Sequence, residues 1–516
     1  MRLQRAEWAT ALLITLFAVG LHGLRLVHAG PLWRDEAAAF HLATSLTPAE
    51  VVATATTESF PPSFFFLVRS WAAVLGGSDA SLRFFGLLVG LGLLALFWWS
   101  VRTAAGTAPL LALSLVAVNP SVLLFGDSLR GYGLGTVAIV ATFGAFARLA
   151  ARPDRGAIAL AAATALLSVQ ILFFNAALLL ALGLAAIGVG ILRRRPRVIL
   201  AVVAIGAAAA LSLLLWIESV LATRSWSGLL EVPLGSQEIL GEMARTASAP
   251  VGALRWVWLL LAALALVPLR KNGEDGQERK DARLFAQLAL PGLLLAQWGF
   301  MEALDYAPRP WYFLAFLAVA AVALDVRLSG SHLGRASRLG AAVLAVLALA
   351  LPVTALARVR MTNVDLVEAR IAAEAAPGDL VIVAPWYMGI SYLRYVRGST
   401  PWMTLPDLPD HRIHRFDLLK VRLTEPDPLS DVLGAVERTL RSDHRVWVAG
   451  NIEIPPPGAA LSALDEQNWS QRFGAFLRDH ATQGGRVPVP WNGPVNGYER
   501  LELLVFSGWR QTTPIP

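Results

Sequence analysis

The chain has 516 residues, of which 56% are hydrophobic and 16% charged, and its formal net charge is +7. Soluble globular domains carry about 25% charged residues, so the composition excludes a large soluble enzyme and indicates a polytopic membrane protein. The absence of cysteine excludes disulfides, thiol nucleophiles and thiolate metal sites.

The N-terminal "MRLQRAEWATALLITLFAVGLHGL" sets basic residues before an apolar run, which reads as a first membrane span retained in the chain. A ruler of roughly 20 apolar residues gives about 11 spans before Arg360. They fall at 8–28, 84–101, 108–125, 132–150, 157–173, 175–192, 198–217, 253–269, 284–301, 311–328 and 339–356. With the N-terminus placed in the cytoplasm, the cytoplasmic connections hold Arg102, then Arg148, Arg152 and Arg155, then "RRRPR" from Arg193. They continue with the run from Arg270 to Arg283 and the segment from Arg327 to Arg338. All are basic, as the positive-inside rule requires. The loop after the first span, the segments near Asp127, Trp226 and Arg309, and everything beyond the last span then lie outside.

That first outside loop, 29–83, is far longer than the usual few residues. It opens with "PLWRDEAAAF" and continues into a short helix, "AAAFHLATSL", in which His41 reads as a surface residue. Next comes "ESFPPSFFFLVRSWAAVLG", whose prolines fit the first turn of an apolar helix that would lie on the outer leaflet. Asp35 and Glu36 admit two readings from composition alone. Carboxylates near a helix start gain about 0.3–1 kcal/mol from the helix dipole, which explains them structurally. A carboxylate at a water-poor membrane edge can also serve as a general base, although Arg34 next to Asp35 opposes the required pKa rise.

Asp127 at the end of the third predicted span is expected to pair with Arg130. Asp127 and Glu58 could instead join Asp35 around a divalent cation such as Mg or Mn, which takes oxygen ligands, though no spacing specifies a metal site. The segment Trp216 to Arg245 contains Arg224 and Trp226 and has the length of a lid, or of a tryptophan-anchored interfacial stretch. The domain boundary is placed at 358/359. Residues 1–358 form the membrane domain, and 359–516 form a soluble α/β domain with a partly parallel sheet. Its strands are read in "LVIVAPW" and "RVWVAGN".

The order "WRDEAAAF", "FPPSFFFLVRSW", "NPSVLLFGDSLRGYGL" resembles membrane glycosyltransferases of the GT-C fold, in particular the family 39-like group. That group includes protein O-mannosyltransferases and the aminoarabinose transferase of lipid A. Its members show an acidic pair after the first span, "HPPLYY" or "KPPLYY" in the loop, a later "ARPYAL", and an "RY" before a late span. The resemblance covers roughly residues 1–360 and extends to the C-terminal domain. It implies an inverting transfer from a polyprenyl-phosphate sugar to an acceptor hydroxyl, outside the plasma (inner) membrane of a bacterium. In that scheme Asp35 matches the catalytic base, and Glu36 the second acid that orients acceptor or base. Arg130 and Tyr132 match the phosphate-binding pair, and Arg309, followed by Tyr312, approximates the late arginine motif. Three features depart from the pattern: Phe60 stands where members carry His or Lys, Gly131 replaces the usual proline, and Pro310 and Trp311 separate Arg309 from Tyr312 in the late motif. The implied partners are the lipid donor, membrane lipids and a protein, lipid or glycan acceptor, with no nucleic acid. A lipid or solute transporter or flippase, and a non-catalytic envelope-assembly protein, are the rival classes.

Overall fold

The structure is a computed structural model of the full chain, described over residues 2–58, 60–222, 235–268, 276–304, 307–462, 465–491 and 493–510. Its contacts group the chain into two compact units. The first comprises 1–28 and 48–358, the second 29–47 and 359–516. The loop read from the sequence as 29–83 is therefore divided between them.

The first unit is helical. Among the described residues eight helices are long and apolar enough to cross a membrane. They are Arg2–His28, Asp79–Ala105, Gly131–Ala151, Asn175–Leu192, Pro196–Leu214, Gln277–Leu304, Pro310–Leu328 and His332–Ala357. Three of the about 11 expected spans take other forms. The fifth is the 17-residue apolar helix Arg155–Ile171, at the lower limit of a spanning length, and the eighth is the shorter, 13-residue apolar helix Leu254–Leu266.

The third predicted span is not one helix. It is two wide π-helical turns, Ala112–Ala117 and Val122–Gly126, interrupted at Val118 and Asn119, with Pro120 opening the second segment. Proline supplies no N–H to continue the ladder. Asn119 closes the break by accepting the Ser121 N–H at 2.8 Å and donating to the Thr246 carbonyl at 2.9 Å. The start of this segment is held by Asp325, whose carboxylate accepts the N–H groups of Leu111 and Ala112 at 2.9–3.1 Å. Arg338 bonds the same carboxylate at 2.9 Å and lies 3.5 Å from Glu7, which also pairs with Arg335. Asp325, Arg338 and Glu7 are fully buried, so removing one partner would leave an uncompensated charge costing about 3–5 kcal/mol.

Gly131–Ala151 and Pro310–Leu328 are the most enclosed spans. Small residues permit this: a Cβ on Gly133 would stand 1.9 Å from the Gly126 carbonyl oxygen, and one on Gly144 2.5 Å from Trp99. The loop helix Pro62–Leu75 starts at its two prolines as expected. Phe64, Phe65 and Val68 are buried against the protein, and Leu67, Val74 and Leu75 are left exposed. The expectation that the whole apolar face meets the leaflet is thus corrected.

The second unit carries a five-stranded mixed sheet with strands β1 (Leu380–Ala384), β2 (Trp402–Thr404), β3 (Val446–Gly450), β4 (Ala481–Arg486) and β5 (Leu503–Trp509), in the order β2-β1-β3-β5-β4. β2, β1 and β3 run parallel, and β5 and β4 add antiparallel pairs. Burial on both faces explains why β1 and β3 read as unbroken apolar runs. Helices cover both faces: Ser430–Arg441 and Asp465–His480 pack with Ile382 and Val448, and Val364–Glu374 with Val381 and Val383. Asp379 in the turn before β1 accepts bonds from Trp447 Nε1 and the Ala376 and Arg445 N–H groups at 2.9 Å, pinning β1 to β3.

Candidate active site

Asp35 lies in the second unit. Residues 29–33 have no regular structure, turn at Gly30 with its positive φ, and are attached there: the Ala29 carbonyl accepts the Met361 N–H at 2.8 Å, and the Leu32 N–H donates to the Tyr395 hydroxyl at 2.6 Å. Trp33, buried and extended, then ends the approach, and the helix Arg34–Thr44 begins. Its first N–H groups need acceptors. Glu36 reaches back to the Trp33 N–H at 3.3 Å, and Glu499 accepts the Arg34 N–H at 2.6 Å. Both acids are fully buried. Glu36 is thus turned to the helix start and away from solvent.

The first turn then presents Asp35. Its Oδ1 accepts from Arg34 Nε at 3.2 Å and stands 3.5 Å from His414 Nε2. Arg34 also donates to the Tyr498 carbonyl at 3.3 Å, and its guanidinium lies 4.4 Å from the Tyr387 ring centre. Asp35 remains 14% exposed on its side chain, enough to meet a substrate hydroxyl. His414 is stacked on Phe416, in a loop tied by Asp410 to Arg412 and Arg415 at 3.0 Å each. Burial alone would raise the Asp410 carboxyl, but bonds from Arg412 and Arg415 outweigh it and bring it down to about 2. Glu499 is the opposite case: burial pushes it up to about 7, only partly offset by Arg34 and the Ser391 and Thr362 hydroxyls. His41 is half-buried, not a surface residue. Burial, then Arg394 and Arg412, push it down to about 4, so it is neutral at physiological pH.

In the first unit a second constellation forms where Gly131–Ala151 begins. Arg130 pairs with Glu58 at 3.0 Å, both buried, and lies 4.6 Å from the Phe60 ring centre. Phe60 meets Tyr132 edge-on at 4.8 Å, and Tyr132 meets Tyr312 at 5.8 Å. Trp311 and Phe174 complete this aromatic group. The expected pairing of Asp127 with Arg130 is corrected. Asp127 instead accepts a 2.6 Å bond from His22 in the first span, both buried, beside Gly90, where a Cβ would collide with both side chains. Arg309 is exposed, while its neighbours Trp311 and Tyr312 are buried. Arg224 and Trp226 lie outside the described residues.

Two of the departures from the family pattern, Phe60 and Gly131, touch one another. A Cβ on Gly131 would stand 2.4 Å from Phe60 Cδ1 and 3.0 Å from the Ile171 carbonyl. Phenylalanine at 60 therefore requires glycine at 131, and no proline can occupy that position beside it.

Among the described residues no cluster of three or more His, Asp or Glu side chains is arranged to hold a metal ion. Glu58 and Asp127 are each committed to a cationic or imidazole partner, which does not fit the ligand set considered from the sequence.

Sequence reasoning missed His22, Tyr387, His414 and Glu499. His22 carried a signal, a polar ring inside an apolar span. The other three gave none, because they meet the first loop only through the fold.

No family model and no curated protein matches the chain. Solved structures do. The chain is similar to ArnT from Cupriavidus metallidurans bound to undecaprenyl phosphate, with a TM-score of 0.52 and 12% identity over 96% of this chain and 97% of that one. The apo state of ArnT from the same organism gives a TM-score of 0.54 and 13% identity over the same shares. The chain is a multi-pass membrane protein of the GT-C-like fold, with a C-terminal α/β unit.

Proposed function

We propose that the protein transfers a monosaccharide from a polyprenyl-phosphate donor to an acceptor hydroxyl, outside the membrane and with inversion at the anomeric carbon. The observation that carries this reading is the position of Asp35: a partly exposed carboxylate on a helix start, held by Arg34 and His414 and by the buried caps Glu36 and Glu499. The fold shared with a transferase that binds undecaprenyl phosphate supports the lipid donor.

Asp35 removes the acceptor proton as the acceptor oxygen attacks C1. The C1–O bond to phosphate breaks, and the electron pair leaves with the polyprenyl phosphate. Charge builds on that phosphate only as the bond breaks, so a cation placed there lowers the barrier. Arg130 takes this role. A guanidinium has five donors in a fixed fork, and Glu58 with the Phe60 ring fixes its plane while engaging part of it. Tyr132 and Tyr312 line the aromatic wall on which a sugar ring stacks. The α/β unit positions the base: Tyr387, Tyr498 and Glu499 hold Arg34, and His414 steadies Asp35. The basic connections favour an N-terminus in the cytoplasm and an α/β unit outside, and the family resemblance a bacterial plasma membrane. Glu36 acts as a positioning group. Arg309, Arg224 and Trp226 remain candidate donor or acceptor contacts.

The test is direct. Purified protein is given labelled polyprenyl-phosphate monosaccharides with cell-envelope acceptors. Labelled acceptor and released polyprenyl phosphate are expected in equal amounts. Absence of transfer from every donor, together with lipid or solute transport in vesicles, would overturn the reading in favour of a transporter.

A further inference from the structure

The buried His22–Asp127 pair has no task in the transfer steps above. It joins two parts of the first unit. His22 stands on the first span, Arg2–His28, and Asp127 opens the bend 127–130 that leads into Gly131–Ala151. No regular ladder fixes this bend. Its own bonds are short-range: Ser128 Oγ donates to the Phe125 carbonyl at 2.6 Å, and the Arg130 N–H to the Ser128 carbonyl at 2.7 Å. Packing supplies the rest. A Cβ on Gly86 would stand 1.9 Å from the Asp127 carbonyl oxygen, and one on Gly90 2.5 Å from His22 Nδ1 and 2.6 Å from Asp127 Oδ1. Glycine at both positions lets the bend lie against Asp79–Ala105 with the carboxylate on His22.

This pairing has a competitor. Three residues of chain span at most about 11 Å, so Arg130 and Asp127 are within the combined reach of their side chains. A guanidinium offers a carboxylate two parallel charge-assisted bonds, more than one imidazole N–H supplies. His22 engages Oδ2 of Asp127, while Oδ1 is buried without a hydrogen bond among the described residues. Arg25 and Arg83, both buried, act on the same carboxylate electrostatically. Arg130 is instead paired with Glu58 at 3.0 Å. A further carboxylate on Arg130 would turn its plane and cancel the charge that a departing phosphate requires.

We propose that His22 is a positioning residue for the transfer: it holds Asp127 away from Arg130, so that the guanidinium keeps its place and its charge for the donor phosphate. The inference rests on the transfer from a polyprenyl-phosphate donor proposed above. It gives a reason for the imidazole itself, a polar ring whose presence inside an apolar span is costly. The acid that stands next to the arginine in sequence is the one that the first span takes out of its reach.

Two readouts are taken on the purified full-length protein, each scaled to the folded fraction from thermal melts. One is kcat for sugar transfer. The other is binding of polyprenyl phosphate alone, whose phosphate carries the charge that the reaction develops. His22→Leu is expected to lower kcat by about 10–10²-fold, the order of an ångström-scale misplacement, and to weaken polyprenyl phosphate binding in step. Adding Asp127→Asn to His22→Leu removes the competing charge and should return most of both losses. His22→Asn, which keeps an N–H where Nδ1 stands, should recover most of what leucine loses. In the Arg130→Gln background His22→Leu should change neither readout, because the group it acts through is gone. Gly90→Ala forces the pair apart with both residues present; it takes the place of His22→Leu if that variant does not fold, and Asp127→Asn should rescue it likewise. A double variant no better than His22→Leu, or an equal fall in the Arg130→Gln background, would overturn the inference and leave a structural pair. Loss and rescue of polyprenyl phosphate binding in a protein that transfers no sugar would uphold the action of His22 on Arg130 and overturn the transfer reading instead.

Discussion

Replacing Gly131 by alanine adds one Cβ that would stand 2.4 and 2.7 Å from two ring carbons of Phe60 and 3.0 Å from the Ile171 carbonyl. Carbon atoms pack at about 3.5–4.0 Å, so the ring must retreat by about an ångström. It has nowhere to go: Phe60 is fully buried between Arg130, Tyr132, Phe64 and Phe65. Overpacking of this kind costs about 1–3 kcal/mol, and the displaced ring pushes Arg130 away from Glu58. Phe60→Leu alone opens a cavity and destabilises by a similar order, about 1–3 kcal/mol. The double variant puts the new Cβ into the space the ring vacates. Its cost should therefore fall below the sum of the single costs by at least 1 kcal/mol, a coupling typical of residues in contact. Denaturant titration of the four proteins in one detergent measures the cycle, and donor KM reports whether Arg130 recovers its place. Additivity within about 0.5 kcal/mol would refute the claim that these two family departures compensate one another.

Other outcomes follow from the same geometry. Glu499, raised from 4.5 to about 7 by burial, binds its proton more tightly in the folded state. Its contribution to stability is complete below about pH 4.5 and is lost as pH rises through 7, a change of about 3 kcal/mol at most. Thermal melts from pH 5 to 8 should show that decline in the wild type and a flatter profile in Glu499→Gln; identical profiles would contradict it. His22→Leu leaves Asp127 buried without its imidazole and should destabilise by about 3–5 kcal/mol, with Asp127→Asn in the same chain restoring part of the loss. Arg130→Gln should lower kcat at least as much as it raises donor KM, because the arginine acts on charge that develops during reaction; a pure KM effect would reduce it to a docking contact.

Much of the architecture is legible in the sequence, because burial in lipid and in a parallel sheet both write themselves as apolar runs. The spans Asp79–Ala105 and Asn175–Leu192, and strands β1 and β3, are read this way. The break at Val118 and Asn119 is not, since two residues barely change the hydropathy of the window that contains them. Helix start chemistry made the Arg34–Thr44 helix readable, with Asp35 and Glu36 in its first turn. Their partners were not readable. Glu499 caps Arg34 from 465 positions away, and no local pattern encodes such a meeting. Proximity in sequence also misled: Asp127 stands three residues from Arg130, yet it turns to His22 while Arg130 takes Glu58. A buried acid pairs with whatever the helix packing brings to it, and the packing is set by glycines such as Gly90 and Gly133.

The central claim is that Asp35 takes the acceptor proton. Transfer from a labelled polyprenyl-phosphate sugar should fall by about 10²–10⁴-fold in Asp35→Asn, with donor binding retained, because the amide keeps the shape and loses the base. Equal rates of transfer by Asp35→Asn and wild type would contradict the account.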